Sequence, residues 1–248
     1  MSANPPNQDE NPTPQDGDAW PGASPGQSGT GTDQPSGGWG ATAGDGWPQP
    51  MHPVTLTFDE TEAQDRLWGI PLLGILGRAI LAIPHLLILW LLAIAVGFLV
   101  FFIWIPILAF GRVPDGLRDF LGGFYRWYNR VWAYVVLLTG RYPPFDLGGA
   151  HPVQTEFGPN PPISRWWGVP FISPFVRWVI LIPHYIALWI LGIVVGFAFL
   201  ISWFPVLADG RMATWGYQLF GGWLRWTTRV TAYAIFVSNT YPPFTINN

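Results

Sequence analysis

The sequence predicts an all-α integral membrane protein with two tandem modules, each a transmembrane helix plus an amphipathic helix with a short strand, behind a disordered N-terminal tail. Three observations predict this fold class. A shift of 99 residues places 52–145 on 151–244 without a gap, with 37 identities in 94 positions, which indicates two copies of one unit. The runs 79–110 and 178–208 contain no formally charged residue. Residues 1–51 are polar and rich in Pro and Gly.

The tail, 1–51, carries six acidic residues and no basic one, and such a composition cannot bury enough apolar area to fold. We place the modules at 52–145 and 151–248, with 146–150 as the linker. The chain contains no cysteine, which excludes disulfides and thiolate metal sites, and all twelve basic residues are arginine. Outside the tail the net charge is about +3, a weak excess that does not predict binding of nucleic acid.

Each copy opens with a short alternating segment. Val54, Leu56 and Phe58 fall on one side of an extended chain, and 153–157 repeats the pattern more weakly. A period of two predicts a strand at the start of each module.

The uncharged runs, of 32 and 31 residues, each suffice for one bilayer crossing of about 20 helical residues and not for two. Pro84 and Pro183 divide them, and proline suits the first turn of a helix but not its interior. We therefore predict the main spans at 85–110 and 184–208, with a shorter interfacial helix before each proline.

A second helix is predicted at 116–139 and 215–238, where arginines and glycines share one face and aromatic residues take the other. Such a helix either lies in the membrane interface or crosses with its polar face toward protein. One crossing per copy would invert the copies and place matching arginines on opposite sides of the membrane, against the positive-inside rule. We favour parallel copies and four crossings, with inverted copies as the alternative.

The arginines that directly follow the predicted spans, or that lie on the polar face of the amphipathic helix, are candidate binding residues. Anionic lipid headgroups or the carboxylates of a partner would suit them, and the alternative is a face that only sets the depth of the helix. They are Arg112, Arg126, Arg130, Arg211, Arg225 and Arg229.

His85 and His184 each follow the span proline and are equivalent in the repeat. Two facing imidazoles can ligate a haem or a metal, whereas the alternative is a hydrogen bond at the start of the helix. Neither Glu-x-x-His nor His-x-x-x-His spacing supports ligation, and we predict no cofactor.

Motifs for catalysis are missing from the sequence, which has no phosphate-binding loop, no Gly-x-Ser-x-Gly and no paired carboxylates within the spans. We therefore predict no enzyme. We expect an interaction or scaffold protein, or an accessory subunit of a membrane complex, whose partners are the bilayer, anionic lipids, another membrane protein or a second copy. The alternatives are a small transporter, channel or lipid-handling protein and, third, a haem- or metal-binding subunit.

Several motifs recur in both copies. Ile-Pro-His opens the span, Gly-Arg closes it, Arg-Trp-x-x-Arg-Val-x-Ala-Tyr lies in the amphipathic helix, and Tyr-Pro-Pro-Phe at 142–145 and 241–244 is expected to end that helix and pack on the strand. With these motifs 52–246 resembles, twice over, the bacterial family of unknown function DUF4389. The resemblance implies a bacterial membrane protein and supplies no activity. Together with the predicted spans, it leads us to expect a multi-pass protein of the bacterial inner (plasma) membrane.

Overall fold

The described part of the chain, in a computed structural model, comprises residues 52–71, 73–170 and 172–247. It is mostly helical, with one small sheet. The first copy contains β1 (Val54–Thr57), a 3-10 helix (Arg66–Gly69), α1 (Leu73–Phe101), α2 (Trp104–Phe110) and α3 (Asp115–Val135). The second contains β2 (Gln154–Phe157), a 3-10 helix (Arg165–Gly168), α4 (Ile172–Ile180), α5 (Ile182–Phe199), α6 (Trp203–Asp209), α7 (Thr214–Gly216) and α8 (Gly222–Ala234). The predicted disordered tail lies outside the described residues.

The prolines at the start of the spans act differently in the two copies. Pro183 lies in the first turn of α5, where its missing N–H costs no hydrogen bond, so the predicted helix break is confirmed there. Pro84 lies inside the continuous helix α1, and the predicted break is wrong. One buried stripe, which includes Ala82, His85 and Leu89, faces the same way on both sides of Pro84, and its packing favours a continuous helix over the local preference of proline.

The spans end earlier than predicted, because a second pair of prolines starts new helices. α1 ends at Phe101 and α5 at Phe199, and α2 and α6 follow with Pro106 and Pro205 as their third residues. A proline inside a continuous helix would clash with the carbonyl four residues earlier, whereas the third position of a new helix tolerates it. The glycines that close α2 and α6 adopt left-handed φ angles of 66° and 67°. A helix therefore ends at Gly111 and at Gly210, as predicted, although the helix that ends there is not the long one.

The amphipathic helices form in both copies, as α3 and as α7 and α8 joined by a π-helical turn (Tyr217–Gly221). They end before the predicted 139 and 238. The chain turns at Leu137 and Phe236, which are repeat-equivalent and have positive φ angles of 65° and 64°. Non-glycine residues adopt this conformation only when their surroundings hold them, and here both side chains are fully buried.

Repeat-equivalent residues meet at two places, which mark a pseudo-twofold axis between the copies. β1 and β2 are antiparallel, and their register pairs Leu56 with Thr155. Between α3 and α8, the Thr228 hydroxyl donates to Asn129 Oδ1 at 3.1 Å. Both pairs are 99 residues apart, the period of the repeat.

The two copies exchange their opening segments. β1 packs on α8 of the second copy and β2 on α3 of the first, while each 3-10 helix packs on α6 or α2 of the other copy. Gly69 lies so close to Leu207, and Gly168 to Leu108, that a Cβ at either glycine would overlap backbone atoms. The repeat boundaries in the sequence are therefore not boundaries of packing.

Within the described part of the chain, two helices are long and apolar enough to cross a membrane, Gly74–Phe101 and Ile182–Phe199. Only 22% and 17% of their most apolar windows are buried, whereas the core helix of a soluble protein would be mostly buried. α3 and α8 are not among them, and the predicted four crossings find no support in the described helices.

Candidate functional site

Two of the predicted arginines bind the backbone of the exchanged strands. Arg126 Nε donates to the carbonyl of Thr155 at 3.2 Å, and Arg225 Nε donates to the carbonyl of Leu56 at 2.9 Å. The donors are repeat-equivalent, and so are the acceptors. Each arginine therefore holds the strand of the other copy on its own helix.

Arg130 lies one helical turn further along α3 and is almost fully buried. It forms an ion pair with Asp146 at 3.0 Å and donates to the carbonyl of Gly149 at 2.8 Å. The segment predicted as a linker, 146–150, is thus bound to the polar face of α3.

Arg229 occupies the equivalent place in α8 but has no carboxylate ligand among the described residues. It donates to the carbonyls of Val54 at 3.3 Å and Asn247 at 2.6 Å, and Thr245 stands where the first copy has Asp146. Burial lowers the pKa of Arg229, and the nearby charge of Arg225 lowers it further. Among the described residues, backbone carbonyl oxygens are the groups that accept hydrogen bonds from this guanidinium.

Arg112 and Arg211, at the ends of α2 and α6, face solvent. Arg112 lies 3.5 Å from Asp115, with both side chains more than half exposed. Arg211 lines a shallow polar depression with Glu60 and Asp209. Of the six predicted arginines, these two are the most accessible to a headgroup or a partner.

The two candidate haem or metal ligands are buried, and each accepts a hydrogen bond. Trp127 Nε1 donates to His85 Nδ1 at 3.0 Å, and Trp226 Nε1 donates to His184 Nδ1 at 3.0 Å. Because an indole N–H can only donate, Nδ1 must accept, and the hydrogen of the neutral ring lies on Nε2. Neither Nε2 has a hydrogen-bond partner among the described atoms.

This tautomer offers no free lone pair to a metal, because one ring nitrogen accepts and the other carries the hydrogen. Among the described residues no group of three or more His, Asp or Glu is placed to hold a metal ion. The arrangement gives ligation by His85 and His184 no support, and haem binding stays the third alternative.

The Tyr-Pro-Pro-Phe motif packs on the histidine of its own copy. Phe145 stacks on His85 with 3.8 Å between ring centroids, and the Tyr142 hydroxyl donates to the carbonyl of Leu81 at 3.1 Å. Phe244 stacks on His184 at the same distance. The expectation that this motif packs on the strand is wrong, because the rigid turn directs its aromatic rings to the long apolar helix instead.

Arg78 is the polar residue of α1 whose role sequence reasoning missed. It is fully buried and donates to the carbonyls of Tyr134 at 2.9 Å and Thr139 at 2.6 Å, and to Oε1 of Gln64 at 2.9 Å. Its guanidinium also lies 5.1 Å from the ring centre of Trp68. The left-handed turn after α3 brings the two carbonyls together.

Arg177 repeats this arrangement in α4. It donates to the carbonyls of Tyr233 at 2.7 Å and Ser238 at 3.1 Å, and to Oδ1 of Asn239 at 2.6 Å. The amide acceptor comes from a position that is not equivalent to Gln64. The two copies therefore supply a side-chain acceptor for the buried guanidinium from different places in the repeat. Repetition of an arginine beside each uncharged run was the available signal in the sequence.

The described residues define a two-copy helical protein with two long apolar helices, in which backbone carbonyls and side-chain oxygens of the chain itself bind the buried arginines. The chain belongs to the family described as Domain of unknown function (DUF4389), whose model matches 73–146 and 172–245. Each match begins with the long apolar helix region and leaves out the exchanged strand and 3-10 helix. No curated protein and no solved structure matches the chain.

Proposed function

We propose that this chain is an interaction protein of the bacterial plasma membrane. It is embedded in lipid through α1 and α5 and assembles there with another membrane protein or with itself, as a scaffold or accessory subunit. The observation that carries this proposal is the uncovered apolar surface of the two helices.

Large apolar side chains cover the outer faces of α1 and α5. Ile80, Trp90 and Phe98 on α1, and Trp189 and Phe197 on α5, are each between 62% and 70% exposed. Leaving such area in water costs about 25 cal/mol for each Å², and continuous apolar patches of this kind mark membrane or protein contacts. Acyl chains fit a surface that carries no formal charge.

The buried polar groups favour a scaffold over an enzyme. Arg78, Arg177 and Arg229 are bound by carbonyl and amide oxygens of the chain itself. The imidazoles of His85 and His184 are engaged by tryptophan. Groups held in this way stabilise the fold and are not presented to a substrate.

Extraction of the native membrane into polymer nanodiscs, followed by cross-linking and mass spectrometry, tests the proposal. We expect the chain in the membrane fraction, cross-linked to a second protein or to another copy. A soluble chain would contradict the membrane location. A single chain per nanodisc with no cross-linked protein would contradict the interaction role.

An apolar cavity favours lipid handling as a second candidate function. It has a volume of about 420 Å³ and lies between the C-terminal half of α1 and the start of α4, lined among others by Val100, Phe124 and Trp178. In the second copy Phe199 and Trp223 take the places of Val100 and Phe124. Larger side chains therefore occupy the repeat-equivalent place, and the size and apolar lining of this cavity suit part of an acyl chain.

Filling the cavity tests this candidate. Gly97 lines it, and neither Gly97 nor its repeat-equivalent Gly196 has an atom within 4 Å of an added Cβ. Gly97→Leu should remove about one lipid per chain from the purified protein, as measured by mass spectrometry, while Gly196→Leu should leave lipid content unchanged. Equal lipid content in both variants would contradict lipid binding in this cavity.

A further inference from the structure

The direction of α1 relative to α3 is fixed by contacts along its length. Arg78, near the start of α1, reaches the carbonyl of Tyr134 near the end of α3. Further along α1, His85 accepts a hydrogen bond from Trp127. Val96, further still, lines the cavity together with Phe124, which lies in the first half of α3. The two helices are therefore antiparallel and packed side by side, and α5 packs in the same way on α8.

A polar stretch of chain runs along the other side of α3. After α3 ends, Asp146 binds Arg130, Thr155 binds Arg126, and the carbonyl of Gly158 accepts from Arg118. Ile163 then donates to Gly111, just before α3 begins. Residues 146–163 thus return along most of the length of α3, on the side where β1 and β2 pair.

The polar stretch decides how α1 can lie in a membrane. If α1 stood perpendicular to the bilayer, the parallel stretch and the two-stranded sheet would cross the hydrocarbon as well. The outer face of the sheet exposes Thr57, Gln154 and Glu156. Lipid-exposed irregular chain and open strand edges do not occur in the hydrocarbon region, because their polar groups find no partner there.

The two apolar helices run in opposite directions, which also fits helices that do not stand perpendicular to the bilayer. The 3-10 helix before α1 packs on α6, which follows α5, and the 3-10 helix before α4 packs on α2, which follows α1. The start of each long helix therefore lies near the end of the other. A pseudo-twofold axis perpendicular to both helices passes through the sheet, with the sheet and the apolar helices on opposite sides of α3 and α8.

We infer that α1 and α5 lie flat within a single leaflet and that the sheet and its arginines face the water on that same side. The inference rests on the proposed membrane location and replaces a crossing with a one-sided attachment. A helix is about 10 Å wide, whereas half of the hydrocarbon core is about 15 Å thick, so a flat helix fits within one leaflet. The occupant of the apolar surface is thus the acyl layer of one leaflet.

Spin labels on the outer face of α1 test the orientation. Ile80, Leu87, Ile94 and Phe98 are exposed and lie within about 40° of one another around the helix. Each is replaced by cysteine, since the chain has none, and the full-length protein is reconstituted in phosphatidylcholine–phosphatidylglycerol vesicles. Collisions with oxygen and with a water-soluble nickel chelate then report depth.

A flat helix places all four labels at the same depth, with oxygen collisions exceeding those of the control Thr57→Cys several-fold. A crossing helix spreads the four positions over about 27 Å, so Leu87 would be deep and Ile80 and Phe98 shallow, which would overturn the inference while leaving the membrane location intact. Full access of nickel to all four positions would overturn the membrane location itself. Protection from both reagents would show a second copy of the chain on this face and would also overturn the inference.

Discussion

Arg78 and Arg177 stabilise the ends of helices to which they do not belong. The last carbonyls of an α-helix have no partner within it, and a cation at this end is also favoured by the helix dipole. Arg78 binds the carbonyl of Tyr134 in the last turn of α3 and that of Thr139 beyond the turn. Because guanidinium is planar with five donors, it suits this converging set of oxygens better than lysine would.

Replacing Arg78 should therefore destabilise the protein strongly. Arg78→Ala leaves buried carbonyls unpaired and opens a cavity, and we expect a loss of about 3 kcal/mol or more of unfolding free energy. Arg112→Ala, at an exposed ion pair, should change it by less than about 1 kcal/mol. Thermal unfolding in mild detergent measures both, and similar melting temperatures for the two variants would contradict the role of Arg78.

His151 should make stability depend on pH. Burial lowers its pKa to about 4, from 6.5, and the charge of Arg130 contributes. Between these values the unfolded chain binds more protons than the folded one, so this contribution to stability is present above pH 6.5 and is lost as the pH falls toward 4.

At pH 5 the loss due to His151 should be about 1–2 kcal/mol relative to pH 7. His151→Asn keeps an acceptor for the backbone N–H of Val153 but cannot be protonated, so its unfolding free energy should fall less between these pH values. Identical pH profiles for the variant and the unmodified chain would refute the assignment.

The engaged histidines predict a protein without haem. Purified full-length protein should show no Soret band and no stoichiometric metal, because His85 and His184 accept from tryptophan through Nδ1. Absorption spectroscopy and elemental analysis measure this. A Soret band that is lost in His85→Ala, with the protein still folded by circular dichroism, would restore the haem hypothesis.

At the scale of elements, local sequence patterns predicted the features that depend on residues close in sequence, namely strands, amphipathic helices and helix ends. Alternation located the strands, helical periodicity located α3 and its counterpart, and glycine followed by arginine located the ends of α2 and α6. The path of α1 through Pro84 was not predictable, because it depends on packing against α3. The buried role of Arg78 was missed for the same reason, since its acceptors lie 56 and 61 residues away.

Exchange of the opening segments could not be predicted either. Both copies carry the same pattern, so a strand finds an equivalent groove on its own copy or on the other, and local sequence does not distinguish them. The structure shows the choice through Gly69, where the backbone of Leu207 leaves no room for a side chain.

Gly69→Ala should therefore disrupt the contact between the copies. The added Cβ would overlap Leu207, and we expect a loss of about 2 kcal/mol or more. Gly116→Ala is the matched control, because an added Cβ in α3 meets nothing within 4 Å and alanine favours the helix by up to about 1 kcal/mol. Chemical denaturation measures the unfolding free energy of both variants. An unchanged unfolding free energy for Gly69→Ala would contradict the exchange of opening segments.

At the scale of the whole described molecule, the flat orientation removes the conflict between inverted copies and the positive-inside rule. That conflict arises only if the helices cross, because crossing places matching arginines on opposite sides. With the pseudo-twofold axis along the membrane normal, α1 and α5 run in opposite directions while Arg112 and Arg211 face the same side. The arginines on the polar faces of α3 and α8 then mainly hold the exchanged strands. Arg112 and Arg211, at the ends of α2 and α6, stay exposed to solvent.

One-sided attachment is tested most directly by labelling at the two ends of α1. Ala63 and Asp115 are both exposed, near the start of α1 and beyond its end respectively. Single cysteines at these positions are treated in intact cells with a membrane-impermeant maleimide, and then again after lysis. We predict that both behave alike, either labelled in intact cells or protected until lysis. Labelling of one in intact cells and protection of the other would show that α1 crosses the membrane and would contradict the flat orientation.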